Sequence, residues 1–293
     1  MYLVNVETLD LKYFSTIEKA ATEGYVTLSH RWSEEPDDEL TFQEVESKSE
    51  AMKRKPGYSK MLQAAQVVRW LFPWKWIWID TCCIDKKSSA ELQEAINSMW
   101  EIYTRSCCCL AYLSDVTTIP CLPWRQSETW TTSPSDPTTR IVEKKVDTAT
   151  DKPISHAQCT GQSVLVLRTR TAVFLEDCNH EELKGSQWFN RGWTLQELLA
   201  PPEVLFFNNE WNRIGSRTGL HDTITSITGI PSACLGQGRS LDWRQRYCAA
   251  TKMSWAAYRN TTRPEDRAYS LLGIFDIHMP LLYGEGENAF RRL

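Results

Sequence analysis

The chain has 293 residues, 42% hydrophobic and 24% charged, a globular balance with material for a sizeable core. Its net charge of −4 excludes a nucleic-acid surface built on bulk charge, because phosphate backbones demand a basic face. No apolar run reaches the roughly 18 residues of a membrane span. The start "MYLVNVETLDLKYF" lacks the basic flank and long apolar core of a secretory signal, so a cytoplasmic protein is expected.

In chain order, "YVTL" at residues 25 to 28 predicts a short strand that runs into the polar cluster "SHRW". "GYSKMLQAAQVVRWLF" places Tyr58, Met61, Leu62, Ala65, Val68 and Phe72 at helical spacing, and Pro73 ends that helix. "KWIWID" is a continuous apolar strand of the kind buried on both faces of a parallel sheet, closed by Asp80. Ser88 and Glu91 have capping-box spacing, and Leu92, Ala95, Ile96, Met99 and Tyr103 then make one apolar stripe. "CCCLAYL" returns as a strand. Strands alternating with helices over short links predict an α/β fold with a mainly parallel central sheet flanked by helices.

Residues 115 to 187 break the rhythm and read as a long, partly disordered insertion, with "SVLVLRTRTAVFLED" as a strand or short helix inside it. A helix around residues 190 to 199, a Pro-Pro stop and the strand "EVLFF" follow. The remainder reads as helical: "GLHDTITSITGIP", "WRQRYCAATKMSWAAYRN", "RPEDRAYSLLGIF" with Pro264 in a first turn, and "GENAFRRL". The expected organisation is an α/β domain over 1–211 and a mainly helical extension over 212–293.

Ten cysteines include the runs Cys82-Cys83 and Cys107-Cys108-Cys109, and none forms a C-x-x-C. Adjacent residues on a strand point to opposite faces, so these read as buried free thiols rather than disulfides or a metal site. Most of the thirteen tryptophans read as core, with a few left to line a pocket.

Ligands of open parallel sheets bind beyond the carboxyl ends of the strands. Ser29, His30, Arg31 and Trp32 follow the first strand. Asp80, Thr81, Cys82 and Cys83 follow the second. Arg31 suits a phosphate, or equally a carboxylate such as Asp80. Asp80 suits a ribose hydroxyl or a loop cap, and His30 a phosphate or a structural hydrogen bond. Trp193 and Glu197 are one helical turn apart. On that face an indole can stack on a flat ligand while a carboxylate stabilises a developing oxocarbenium ion. The alternative is that Glu197 pairs with Arg191 or caps local backbone while Trp193 is core.

"YVTLSHRW", then "WIWIDTCCIDKKSSAELQEAINSMWEIY" with "AYLSDV", then "WFNRGWTLQELLAP" resemble, in order, the three sequence blocks of the fungal heterokaryon-incompatibility (HET) domain. The likeness covers residues 25 to about 211, and the tail resembles the segment that commonly follows this domain. The resemblance implies a cell-death effector of non-self recognition with a fold similar to Toll-type (TIR) or flavodoxin-like domains. It also implies self-association and an upstream receptor-type (NLR-like) partner. "GWTLQEL" resembles the Toll-type pattern of Trp, three residues and Glu. That likeness implies Glu197 as the catalytic residue of an NAD glycohydrolase, with Ser29, His30, Arg31, Trp32, Asp80, Cys82 and Trp193 placed to bind NAD. NAD is implied as substrate, and no prosthetic group is expected. The open alternative is a non-enzymatic, self-assembling interaction module.

Overall fold

A computed structural model describes residues 1–117, 181–236 and 243–293. Seven strands form one sheet: β1 (Tyr2–Asn5), β2 (Leu11–Tyr13), β3 (Tyr25–His30), β4 (Trp76–Ile79), β5 (Cys108–Tyr112), β6 (Val204–Phe207) and β7 (Arg213–Ser216), in the order β2-β1-β4-β3-β5-β6-β7. The centre, β4-β3-β5-β6, is parallel. Its first strand lies second, so the direction of winding reverses between β3 and β5. Every residue of β3 and β6 is buried, as two-sided coverage requires.

The sheet is mixed, and this corrects the expectation of a mainly parallel one. β1 pairs antiparallel with both β2 and β4, and β7 pairs antiparallel with β6. The N-terminal stretch is a β-hairpin, with Leu3 and Val4 in the core. These antiparallel strands are three or four residues long, too short to show a clear alternation in the sequence. The sheet also continues through Arg213–Ser216, past residue 211, where the sequence places the start of the helical extension.

The helices follow in chain order. Between β2 and β3 lies α1 (Ile17–Glu23), and between β3 and β4 lie α2 (Phe42–Glu46) and α3 (Pro56–Leu71). α3 buries Met61, Ala65 and Val68 from the predicted stripe, while Leu62 stays partly exposed. The next stripe is split at Ser98 into α4 (Ser89–Asn97) and α5 (Met99–Thr104). Ser88 caps α4 by accepting from the Glu91 amide, but the Glu91 side chain accepts from the Asp85 amide, so only half of the predicted capping box forms. The strand or helix read at 163–177, and most of the insertion, lie outside the described residues.

After α6 (Glu181–Gly185) and a 3-10 turn at Gln187–Asn190, α7 (Thr194–Leu199) begins later than residue 190 because Arg191 bridges to Asn260 in extended backbone. Pro201 and Pro202 stop α7. The carbonyls of Leu198, Pro201, Pro202 and Leu235 are taken by the buried Arg217 guanidinium at 2.6 to 3.3 Å. α8 (His221–Thr228), α9 (Trp243–Arg246), α10 (Ala249–Ala256), α11 (Asp266–Tyr269), α12 (Leu272–Phe275) and α13 (Asn288–Arg292) complete the chain. Pro264 lies outside α11, one residue before its N-cap, Glu265. α12 packs on α5, where Gly273 is needed: a Cβ there would stand 2.2 Å from Trp100 Cβ and 2.6 Å from Gln196 Oε1.

Candidate functional site

The site forms where β3 ends. Ser29 and His30 are buried at its carboxyl end, where the sheet reverses its winding and open α/β sheets bind ligands. α7 contacts β3 and delivers Glu197 there. The Ser29 hydroxyl donates to Glu197 Oε2 and accepts from Trp188 Nε1 at 2.8 Å. Glu197 is 8% exposed. Burial, reinforced by the charge of Asp80, pushes its pKa up to about 8, while the Ser29 hydrogen bond, Arg191 and Arg259 oppose the rise. At neutral pH this group is predominantly a neutral acid.

Asp80, at the end of β4, accepts from Trp32 Nε1 at 2.8 Å, so the loops after the two neighbouring strands are joined. Trp32 is 38% exposed, with Lys86 Nζ 3.9 Å and the Arg191 guanidinium 5.8 Å from its ring centroid. The His30 ring lies between Asp80 Oδ1 at 4.0 Å and Glu39 Oε2 at 3.5 Å, the latter a long, weak hydrogen-bonding contact. Burial, with Lys60 nearby, lowers the His30 pKa and keeps the ring neutral. Burial opposes ionisation of Glu39, yet His30 and Lys60 hold its carboxylate well below the ordinary range; Lys60 Nζ lies 2.8 Å away.

The other sequence-predicted residues are placed differently. Arg31 pairs with Glu34 at 2.8 Å rather than with Asp80, and remains partly exposed. Cys82 is fully buried, and a hydrogen bond with Cys83 together with burial raises its thiol pKa, so it stays protonated. Trp193 shares a helical turn with Glu197 but packs half-buried against the cluster of Ile96, Tyr269 and Leu272. Its indole lies within hydrogen-bonding reach of Asp266. Glu197 and Ser29 are thus brought together with Asp80 and Trp32 nearby, whereas Trp193 faces the C-terminal helices.

Binding of NAD at Glu197 requires an open, dinucleotide-sized cavity, and the geometry is tighter. A cavity of about 10 Å³ beside His30, Glu39 and Cys82 admits one water. A larger one, about 300 Å³, is lined by Arg259 and the C-terminal helices. Glu197 lines neither.

Sequence reasoning missed Trp188, Tyr103 and Arg259. Trp188 lies in the quoted block but reads as one more core aromatic. The Tyr103 hydroxyl is close enough to Glu197 to feel its charge, after burial the main influence on its raised pKa. Arg259 donates to Arg191 O at 2.9 Å and Thr194 Oγ1 at 2.8 Å, pinning the start of α7 from a segment 62 residues beyond Glu197. Nothing local in "WAAYRN" signals that role.

Among the described residues no group of three or more His, Cys, Asp or Glu is placed to hold a metal, and no helix is long and apolar enough to cross a membrane. Among the described residues, Cys82, Cys83, Cys108, Cys109 and Cys248 are free thiols.

Fold and site define an α/β domain with a buried acid, Glu197, held on Ser29 at the carboxyl end of its first central strand. A family model described as "Heterokaryon incompatibility protein (HET)" matches residues 25–197, from the first residue of β3 to Glu197 itself. The chain belongs to the heterokaryon incompatibility (HET) family. It is 37% identical over 270 residues to the vegetative incompatibility protein HET-E-1 of Podospora anserina, across 92% of this chain. The chain spans about 16% of the length of that curated relative. No solved structure matches the chain.

Proposed function

We propose that this chain is an effector domain of fungal non-self recognition, and that its output is cleavage of NAD at Glu197 once the domain is clustered. Membership of the HET family and likeness to an incompatibility protein support the biological role. The observation that carries the chemistry is a buried acid, Glu197, hydrogen-bonded to Ser29 at the carboxyl end of a central strand, the end at which open α/β sheets bind ligands. The second-first-third-fourth order of the parallel strands supports the Toll-type kinship we propose for the fold.

The reaction breaks the bond between ribose C1′ and the nicotinamide nitrogen. The electron pair leaves with nicotinamide, and water adds to C1′ to give ADP-ribose and a proton. The Glu197 carboxylate stabilises the positive charge that develops on the ribose, Trp32 offers a stacking face and Arg31 a pyrophosphate contact. Closed, the acid is neutral and enclosed, so it cannot perform this role. Opening the crevice hydrates Glu197 and lowers its pKa, which supplies the anion. Clustering in the cytoplasm, driven by an upstream receptor-type partner, is the proposed trigger.

The enclosure of Glu197 also favours a second reading, in which the acid is structural and the domain acts by self-assembly alone. Expression in a fungal host separates the two. Loss of lethality in a folded, normally abundant Glu197→Gln protein is the enzymatic outcome. Retained lethality in that variant assigns the output to assembly.

A further inference from the structure

Outside the Glu197 site lies a cavity of about 300 Å³, lined at one point by Gly192 just before α7. Arg259 lines it, with Arg267, Ser270, Met253, Leu271 and Phe290. Arg259 is 9% exposed and forms no ion pair among the described residues. Its Nε donates to Trp255 O at 3.2 Å, and its Nη1 is used by Arg191 O and Thr194 Oγ1. Its Nη2 is buried and has no hydrogen-bond partner among the described residues. Burial pushes the guanidinium pKa down to about 9, with Glu197 the one opposing influence. A buried cation with a donor to spare is costly unless an anion completes it.

The rest of the cavity suits such an anion. Arg267 stands exposed at its edge, paired with Glu287 at 3.1 Å and 5.7 Å from the Phe290 ring centroid. The Ser270 side chain adds a hydroxyl, and Met253, Leu271 and Phe290 supply apolar wall. The volume matches the lower end of ordinary small-molecule sites.

We propose that this cavity is a binding site for a small organic oxyanion, a phosphate or carboxylate head on a compact apolar body, with Arg259 as its buried anchor and Arg267 at its mouth. The head group takes the spare Arg259 donor, and the body lies against Met253, Leu271 and Phe290. Because Arg259 also holds Arg191 and Thr194, occupancy is registered at the start of the helix that carries Glu197. The site does not depend on NAD cleavage.

The test is thermal unfolding and calorimetric titration of the 293-residue chain with phenyl phosphate, benzoate and benzylamine at matched ionic strength. Saturable binding of phenyl phosphate or benzoate, with no response to benzylamine, is expected; the tighter of the two anions identifies the head group. Arg259→Gln is expected to weaken binding by about tenfold or more, the scale of one charge-assisted hydrogen bond. Should that variant not fold, two exposed changes decide. Arg267→Gln is expected to weaken binding several-fold, and Ala257→Phe, at the cavity mouth, to block it. Failure of both anions to bind overturns the proposal, as does equal binding of benzylamine or binding unchanged in both exposed variants.

Discussion

The Ser29 hydroxyl and the Glu197 carboxyl, 168 residues apart, are directly hydrogen-bonded at the end of β3. The bond ties the carboxyl end of a central strand to a short helix that reaches the sheet only after the insertion. Trp188 completes the arrangement by donating to the same hydroxyl, so one serine oxygen serves two buried groups. The enclosure raises the Glu197 pKa and favours its neutral form.

Glu197 makes folding stability pH-dependent. Its pKa is about 8 in the fold against an ordinary 4.5. Between these values the folded protein binds a proton that the unfolded chain does not. Stability from this group is therefore full below about pH 4.5, falls through the window and levels off above about pH 8. The slope approaches about 1.4 kcal/mol per pH unit. Urea unfolding at pH 5 and pH 8 should show wild type losing about 2–4 kcal/mol more than Glu197→Gln across that range. Equal losses would mean that the carboxyl is hydrated in the folded protein.

Ser29→Ala removes the shared oxygen and leaves the Trp188 indole N–H and the Glu197 carboxyl without it. A loss of about 1–3 kcal/mol is expected, read from urea midpoints and a change in tryptophan emission. A neutral substitution would show that the buried groups find other partners.

Arg217→Met should cost about 3 kcal/mol or more, because carbonyls at the end of α7 and in the Pro-Pro turn lose their donor. Arg217→Lys should recover only part of this, since one ammonium cannot span the same carbonyls. Chemical denaturation of both variants checks the order.

Gly273→Ala should destabilise by about 1–3 kcal/mol through collision with Trp100 and Gln196. Limited proteolysis should then cut first within the segment after α10. Unchanged cleavage and stability would mean that α12 does not rest on α5 in solution.

The parallel centre of this fold was legible because β3, β4 and β5 are short, doubly buried apolar runs separated by helical stripes. The edge strands were not, since a three- or four-residue strand such as β7 carries too little alternation to stand out. Ser29 and Glu197 were flagged from their positions after a strand and on a helix, but their direct bond was not, because it depends on how α7 lands on β3. Trp193 illustrates the converse. Helical spacing places it beside Glu197, yet the C-terminal helices claim its indole. Arg259 and Arg217 escaped notice because their partners are backbone carbonyls and hydroxyls scattered along the chain, which no local pattern records.

We propose Glu197 as the reacting acid of a domain that opens on clustering. Chromatographic measurement of nicotinamide released from NAD by artificially clustered protein tests this role. Release is expected from clustered wild type, little from the dispersed protein and none from clustered Glu197→Gln with unchanged circular dichroism. Release by clustered Glu197→Gln at the wild-type rate, or none from a clustered wild type that still kills its host, would contradict it.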